Sequence, residues 1–266
     1  MSRRRSHLLL VLTIVLLSAG GVAAQTPRAI ELRADSLFVN SVAQTVEARG
    51  RVRISDGRVT AGAPRAVYYV AQRRIVLTSG VTVTSPDGTL RSREATVFLS
   101  RGNAIERLDA QGGVVARSGA RALSAQRLGY VPAADRLTAA GQVQLSVPAG
   151  VATGHTLSTD LRRNTGTLTA ARIRTREGTI AGDRLDVDGT NRQAFLRGHV
   201  TGAFSGTALT SDTATVYERE KKIVFRGKVT VTRPGRVLQA DVVTFFYEEN
   251  RLIAEGQTRI IIQETP

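Results

Sequence analysis

The chain contains no cysteine, no tryptophan, a single methionine and seven prolines in 266 residues. Without cysteine there is no disulfide framework and no thiol chemistry, so stability must come from burial and ladder hydrogen bonds. Aromatic residues make up only 5%, which leaves few large side chains to fill an interior. Histidine is scarce: His155 and His199 stand 44 residues apart with no cysteine or clustered acids between them, which makes a zinc site improbable. Asp186-Val-Asp188-Gly189-Thr-Asn191 starts like a calcium loop, but the third ligand position and the later glutamate are missing, so a hairpin turn is expected there. Gly227-Lys228 is not a phosphate loop, because no glycine precedes it at the required spacing and a valine replaces the Ser/Thr. No G-x-S-x-G elbow occurs. Nothing points to an enzyme or to a cofactor.

No apolar run reaches the roughly twenty residues that span a bilayer. Leu8 to Leu17 is apolar, Arg3, Arg4 and Arg5 precede it, and the small residues Val22-Ala23-Ala24 follow. Residues 1–24 therefore read as a secretory signal peptide, with residues 25–266 as the exported chain. An uncleaved anchor is the alternative. Loss of the three arginines lowers the formal charge from +15 to +12. Export removes nucleic acid as a partner for that charge, and an anionic lipid or envelope surface takes its place.

What the chain has in abundance is repetition. Glycines expected in turns sit at Gly57, Gly88, Gly119, Gly150, Gly178, Gly206 and Gly235, spaced by 31, 31, 31, 28, 28 and 29 residues. A second series lies inside strand-like segments at Gly50, Gly80, Gly112, Gly141, Gly198, Gly227 and Gly256, and the fifth copy lacks it around Ala170-Ala171. A period of about thirty marks a stacked architecture. In the clearest copy Ile223, Phe225, Gly227, Val229 and Val231 alternate with Arg226, Lys228 and Thr230, and Pro234-Gly235 ends the run. That is a strand with one buried face followed by a tight turn. Eight copies of two strands predict about sixteen strands in one all-β antiparallel domain. In the fifth copy Arg163 to Gly166 reads as a turn, and Leu168, Ala170 and Ile173 slip parity, as a bulge would make them.

The inward stripe comprises Val52, Ile54, Leu77, Val81, Val83, Val143, Leu145, Val200, Phe225, Val229, Val231 and Ile260. It reads either as an ordinary sandwich core or as a groove for acyl chains, and the small residues Ala48, Gly50, Ala110, Gly112, Ala139, Gly141, Gly198, Gly227, Ala254 and Gly256 favour the groove by leaving volume. The first and last strands would leave open edges, which template further strands.

Leu32-Arg-Ala34-Asp35 with Gly50-Arg-Val52, and Leu238-Gln-Ala-Asp241 with Gly227-Lys-Val229, resemble the OstA/LptA family of periplasmic lipopolysaccharide-transport proteins. The resemblance extends over nearly all of residues 25–266, although Ser92-Arg93 and Ala125-Gln126 replace the Ala-Asp pair in two copies. It implies a twisted β-jellyroll of two facing sheets, a hydrophobic interior that shields lipid acyl chains, and a non-enzymatic role as a bridge or carrier. The implied partners are lipopolysaccharide or a related anionic lipid, and LptC-like and LptD-like jellyrolls joined by edge-strand pairing. Head-to-tail homo-oligomers follow from the same edges. An LptC-like, membrane-anchored jellyroll and an adhesive envelope solenoid with a dry core are the alternatives.

Overall fold

A computed structural model describes residues 30–262 apart from Asp56, Arg58 and Ser205. The expected signal segment lies outside the described residues. In chain order the strands are β1 (Glu31–Arg33), β2 (Ser36–Asn40), β3 (Thr45–Ser55), β4 (Thr60–Tyr69), β5 (Arg74–Thr78), β6 (Val81–Ser85), β7 (Gly88–Ser92), β8 (Glu94–Leu99), β9 (Ile105–Ser118), β10 (Arg121–Val131), β11 (Arg136–Val147), β12 (Gly150–Asp160), β13 (Thr165–Thr175), β14 (Gly178–Asp188), β15 (Gln193–Phe204), β16 (Thr207–Tyr217), β17 (Lys222–Arg233), β18 (Arg236–Phe246), β19 (Arg251–Glu255) and β20 (Arg259–Ile262). Among the described residues a single 3-10 turn is present, Pro132–Ala134. The fold is all-β and antiparallel. Four runs are interrupted once each (β1/β2, β5/β6, β7/β8, β19/β20), so these twenty strands are the sixteen runs that the repeat predicts. Two compact units are present, residues 30–143 with 158–162 and residues 144–157 with 163–262.

The glycines inside the strands make corners. Between β17 and β18 the pairing passes from Arg226↔Val242 to Val229↔Ala240, so Gly227 and Lys228 together face Asp241 alone. Both bulge residues are left-handed, with φ of 81° and 49°, and the first of them must be glycine-like because a Cβ would collide with the carboxylate of Asp212 on the neighbouring strand. Two residues against one shift the chain without changing parity, which is why Phe225 and Val229 stay on the same face. Corresponding bulges occur at Gly50-Arg51, Gly112-Gly113 and Gly198-His199.

Each corner bends its strand into two halves, and these halves build two leaves. In the first unit Ala48 and Leu77, before their corners, share one buried cluster with Val52 and Val81, after theirs. In the second unit Phe204, beyond its corner, meets Phe245 of the opposite leaf at 5.4 Å between ring centroids. The two facing sheets are thus halves of the same strands, folded toward each other. One long margin is the line of corners, where the chain is continuous. The other is made of hairpins: 189–192, 218–221 and 247–250 close the first leaf of the second unit, and 176–177 and 234–235 close its second leaf.

The fifth copy shows the parity slip but not the expected bulge against β14. Leu168, Ala171 and Ile173 are buried, while Ala170 is exposed with φ of 48°. Its register against β14 runs unshifted from Thr169↔Arg184 to Ala171↔Gly182, so this corner carries one residue fewer than the others. The turn before it is Leu161 to Asn164, two residues earlier than the Arg163 to Gly166 expected, because Thr165 and Gly166 already pair with Asp188 and Val187.

Candidate functional site

The inward rows converge into the apolar interior of each unit. Val52, Leu77, Val81, Val143, Leu145, Val200, Phe225, Val229 and Val231 are buried, between 0 and 5% exposed. Ile54 and Val83 are half-buried against the first unit's cluster. Ile260 does not belong to the buried set. It pairs with Leu238, which pairs with Val231, and so lies on an inward row, yet it is 59% exposed because no described strand lies beyond β20 to cover it. The small residues divide into two kinds. Ala48, Ala110 and Ala139 line the interior. The glycines instead turn the corners and receive a side chain from the next strand: Asp35 over Gly50, Asp183 over Gly198, Asp212 over Gly227 and Asp241 over Gly256. They leave no volume for a ligand.

That packing explains the Leu-x-Ala-Asp pattern. The aspartate closes over the following strand's glycine and, at three of the four closures, accepts a hydrogen bond from the residue after that glycine. The backbone N–H of Gln257 donates to Asp241 at 2.9 Å, Arg51 reaches Asp35 at 2.7 Å, and His199 Nδ1 lies 2.7 Å from Asp183. The Asp183 hydrogen bond holds the His199 imidazole above its ordinary pKa, with the charge of the same carboxylate adding to it. Where the aspartate is replaced, Arg93 and Gln126 lie over Gly112 and Gly141 in its stead.

The inward rows emerge at both ends of the described chain. Leu37 and Val39 pair with the inward-facing Ala48 and Val46, yet are 52% and 73% exposed. β1 and β2 pair with β3, and β19 and β20 with β18; among the described residues none of these four has a second neighbour. Among the described residues both terminal ladders are therefore open. The sequence pointed to open edges but not to the apolar side chains exposed on them.

The outer faces hold the charge. Arg226 and Lys228 are exposed, as alternation requires. Two cross-strand rows alternate aromatic and cationic residues: Tyr69, Arg74, Phe98 and Arg107 in one unit, Tyr217, Lys222, Phe246 and Arg251 in the other. Arg74 lies 4.6 Å over Tyr69, and Arg251 lies 4.2 Å over Phe246. Cross-strand pairs of this kind support a sheet by tenths of a kcal/mol, roughly 0.2–1 each. They were missed in the sequence because their members are some 5 to 25 residues apart and meet only through register.

Asp188 accepts from both the backbone and the side-chain amide of Asn191, at 2.9 and 2.6 Å, so the segment resembling a calcium loop is a locked hairpin. Among the described residues no group of three metal-ligating side chains comes together, and no helix is long and apolar enough to cross a membrane.

Residues 208–265 match the sequence profile of the family described as LptA/(LptD N-terminal domain) LPS transport protein. The resemblance to the OstA/LptA family holds over that segment. It contains two of the closures just described, Asp212 over Gly227 and Asp241 over Gly256, with the open strand β20. The Leu32 to Asp35 motif lies outside the matched segment but makes the same closure, Asp35 over Gly50. Among solved structures, LptH, the LptA-homologous periplasmic component of the lipopolysaccharide transport device from Pseudomonas aeruginosa, aligns at 8% identity over 89% of this chain and 96% of that chain, with a TM-score of 0.21. No curated protein sequence matches the chain.

Proposed function

We propose that the chain is a non-enzymatic periplasmic carrier or bridge segment in lipopolysaccharide transport. Acyl chains would lie between the two leaves against Val52, Ile54, Leu77, Val81, Val83, Val143, Leu145, Val200, Phe225, Val229 and Val231, with Ile260 at one mouth. The observation that carries this reading is the emergence of the apolar rows at two open ladders. A molecule that ended in solvent would leave Leu37, Val39 and Ile260 exposed for no gain, whereas strand addition from a neighbouring jellyroll covers them and continues the interior. The neighbours would be LptC-like and LptD-like proteins or further copies of this chain. Export through the segment of residues 1–24 would place the mature N-terminus at Gln25 in the periplasm, which an intact mass would verify.

A photoreactive residue at Phe225 or Val229 is expected to crosslink to bound lipid, and one at Arg226 or Lys228 is not. Equal labelling at both parities would defeat the reading. A second reading, a dry structural core, is favoured by the near-complete burial of nine stripe residues, and it expects no labelling at any of the four positions. Ile261→Pro removes a donor from the last strand and is expected to shorten head-to-tail oligomers in sedimentation without unfolding interior copies. A wild-type chain that stays monomeric at high concentration and binds neither an LptC-like nor an LptD-like partner would leave the bridge without its mechanism.

A further inference from the structure

A lipid held by its tails must keep its polar headgroup in water while it moves along an apolar interior. The interior must therefore open lengthwise on one side. In the second unit only one line is available. The two leaves are bound laterally by continuous hydrogen-bond ladders, and the corners are covalently continuous. The hairpin margin alone can part without breaking a ladder or bending the chain.

That margin is closed in this structure by an aromatic contact between the leaves. Phe204 of the second leaf packs on Phe245 of the first, both buried, with Phe204 also over Gly202. Polar residues stand next to this pair along the chain: Gly178 pairs with Phe204, so Glu177 lies one residue beyond that pair, and Tyr247 is two residues after Phe245. Tyr247 and Glu218 come from first-leaf hairpins, and Arg192 pairs with Glu218 at 2.8 Å. Glu177 comes from the second-leaf hairpin. The Tyr247 hydroxyl and Glu177 Oε2 are both shielded from solvent without a hydrogen-bond partner. Burial, followed by the carboxylates of Glu218, Glu248 and Glu177, pushes the Tyr247 phenol up. Unsatisfied buried polar atoms mark the weakest line of a closed shell. The exposed cations Arg176 and Arg236 flank it on the second leaf and Arg219 on the first, where a phosphorylated headgroup would sit.

We propose that this seam is the lateral entry site for the lipid: Phe204 and Phe245 part, tails enter between the leaves, and the anionic headgroup stays outside between Arg176, Arg219 and Arg236. The proposal rests on the carrier reading. In the first unit the corresponding tyrosine is satisfied: Tyr130 of the first leaf donates to Asp135 at 3.3 Å, and burial followed by Asp135 pushes its phenol up to about 12.

The absence of native cysteine makes a direct test possible. Glu177→Cys/Tyr247→Cys, with a photoreactive residue at Val229, is incubated with micelles of rough-type lipopolysaccharide. Reduced protein is expected to label as the parent does, and protein oxidised to the disulfide at least tenfold less. Oxidation after loading is expected to slow lipid release at least tenfold. If this pair does not fold, Pro234→Cys/Glu248→Cys, both exposed hairpin positions outside the headgroup cations, closed with a short bis-maleimide, is expected to give the same block. Equal labelling in the closed and open states would overturn lateral entry and leave the carrier reading intact. No labelling of the parent or of the open state would overturn the carrier reading and lateral entry together. Failure of both pairs to crosslink would show that the margins are not adjacent and would also overturn the proposal.

Discussion

The corner at Gly227 and the corner at Ala170 occupy the same place in their repeats and solve it differently. At Gly227 two left-handed residues face one partner, and Asp212 lies over the glycine. At Ala170 one left-handed alanine does the turning, one residue is missing, and the position that Asp183 holds in β14, five residues after the first glycine of the strand, is taken in β12 by His155. The interior beneath is equally well filled, with Phe225 and Leu168 both buried. The corner and the core are therefore separable: the interior is filled on either side whether the corner is a two-residue bulge or a single left-handed residue. Alternation, turn glycines and strand number were legible in the sequence for that reason, since each depends on residues within one run.

Truncating the core should erase the contrast. Phe225→Ala is expected to destabilise by about 3–5 kcal/mol and Leu168→Ala by about 2–5 kcal/mol in urea unfolding, because both lose a filled interior position. Altering the corners should restore it. Gly227→Ala forces a Cβ into a left-handed residue against Asp212, with an expected loss of about 1–3 kcal/mol, and adding Asp212→Ala should recover part of this by removing the collision. An unchanged midpoint for Gly227→Ala would mean that the aspartate simply swings away and the closure has no structural role. Ala170→Gly works in the opposite direction. Relief of the left-handed alanine exceeds the entropy that glycine adds to the unfolded chain, for an expected gain under about 1 kcal/mol.

The smallest effect is one of pH. His199 is exposed, and its folded pKa is raised by Asp183. Its favourable contribution is therefore fully present below the unfolded value, near 6.5, and disappears as pH rises through the folded value. NMR titration should place His199 above the ordinary range, and Asp183→Asn should return it there. An identical titration in both proteins would remove the aspartate from the account.

Contacts that join different runs were not legible. The Asp-over-Gly closure joins residues 15 positions apart, such as Asp35 with Gly50 and Asp212 with Gly227, and two separate motifs in the sequence become one interaction only once register is known. Val224 illustrates the converse. Alternation assigns it to the outer face, where it does stand between Thr215 and Thr244, yet it is buried. Ile260 is exposed for a third reason: its parity was right, but among the described residues no strand lies beyond β20 to cover it.

The line of corners has a use beyond bending the sheet. Its second residue takes left-handed backbone whatever its side chain, and Arg51, Gln142, His199 and Lys228 all fill it. Antiparallel neighbours are about 4.8 Å apart, so alternate strands set these positions roughly 10 Å from one another within a unit. The fold thus carries a graduated ruler of outward side chains whose identity the interior does not dictate, and a surface pattern written along it can change one mark at a time while the scaffold beneath stays the same.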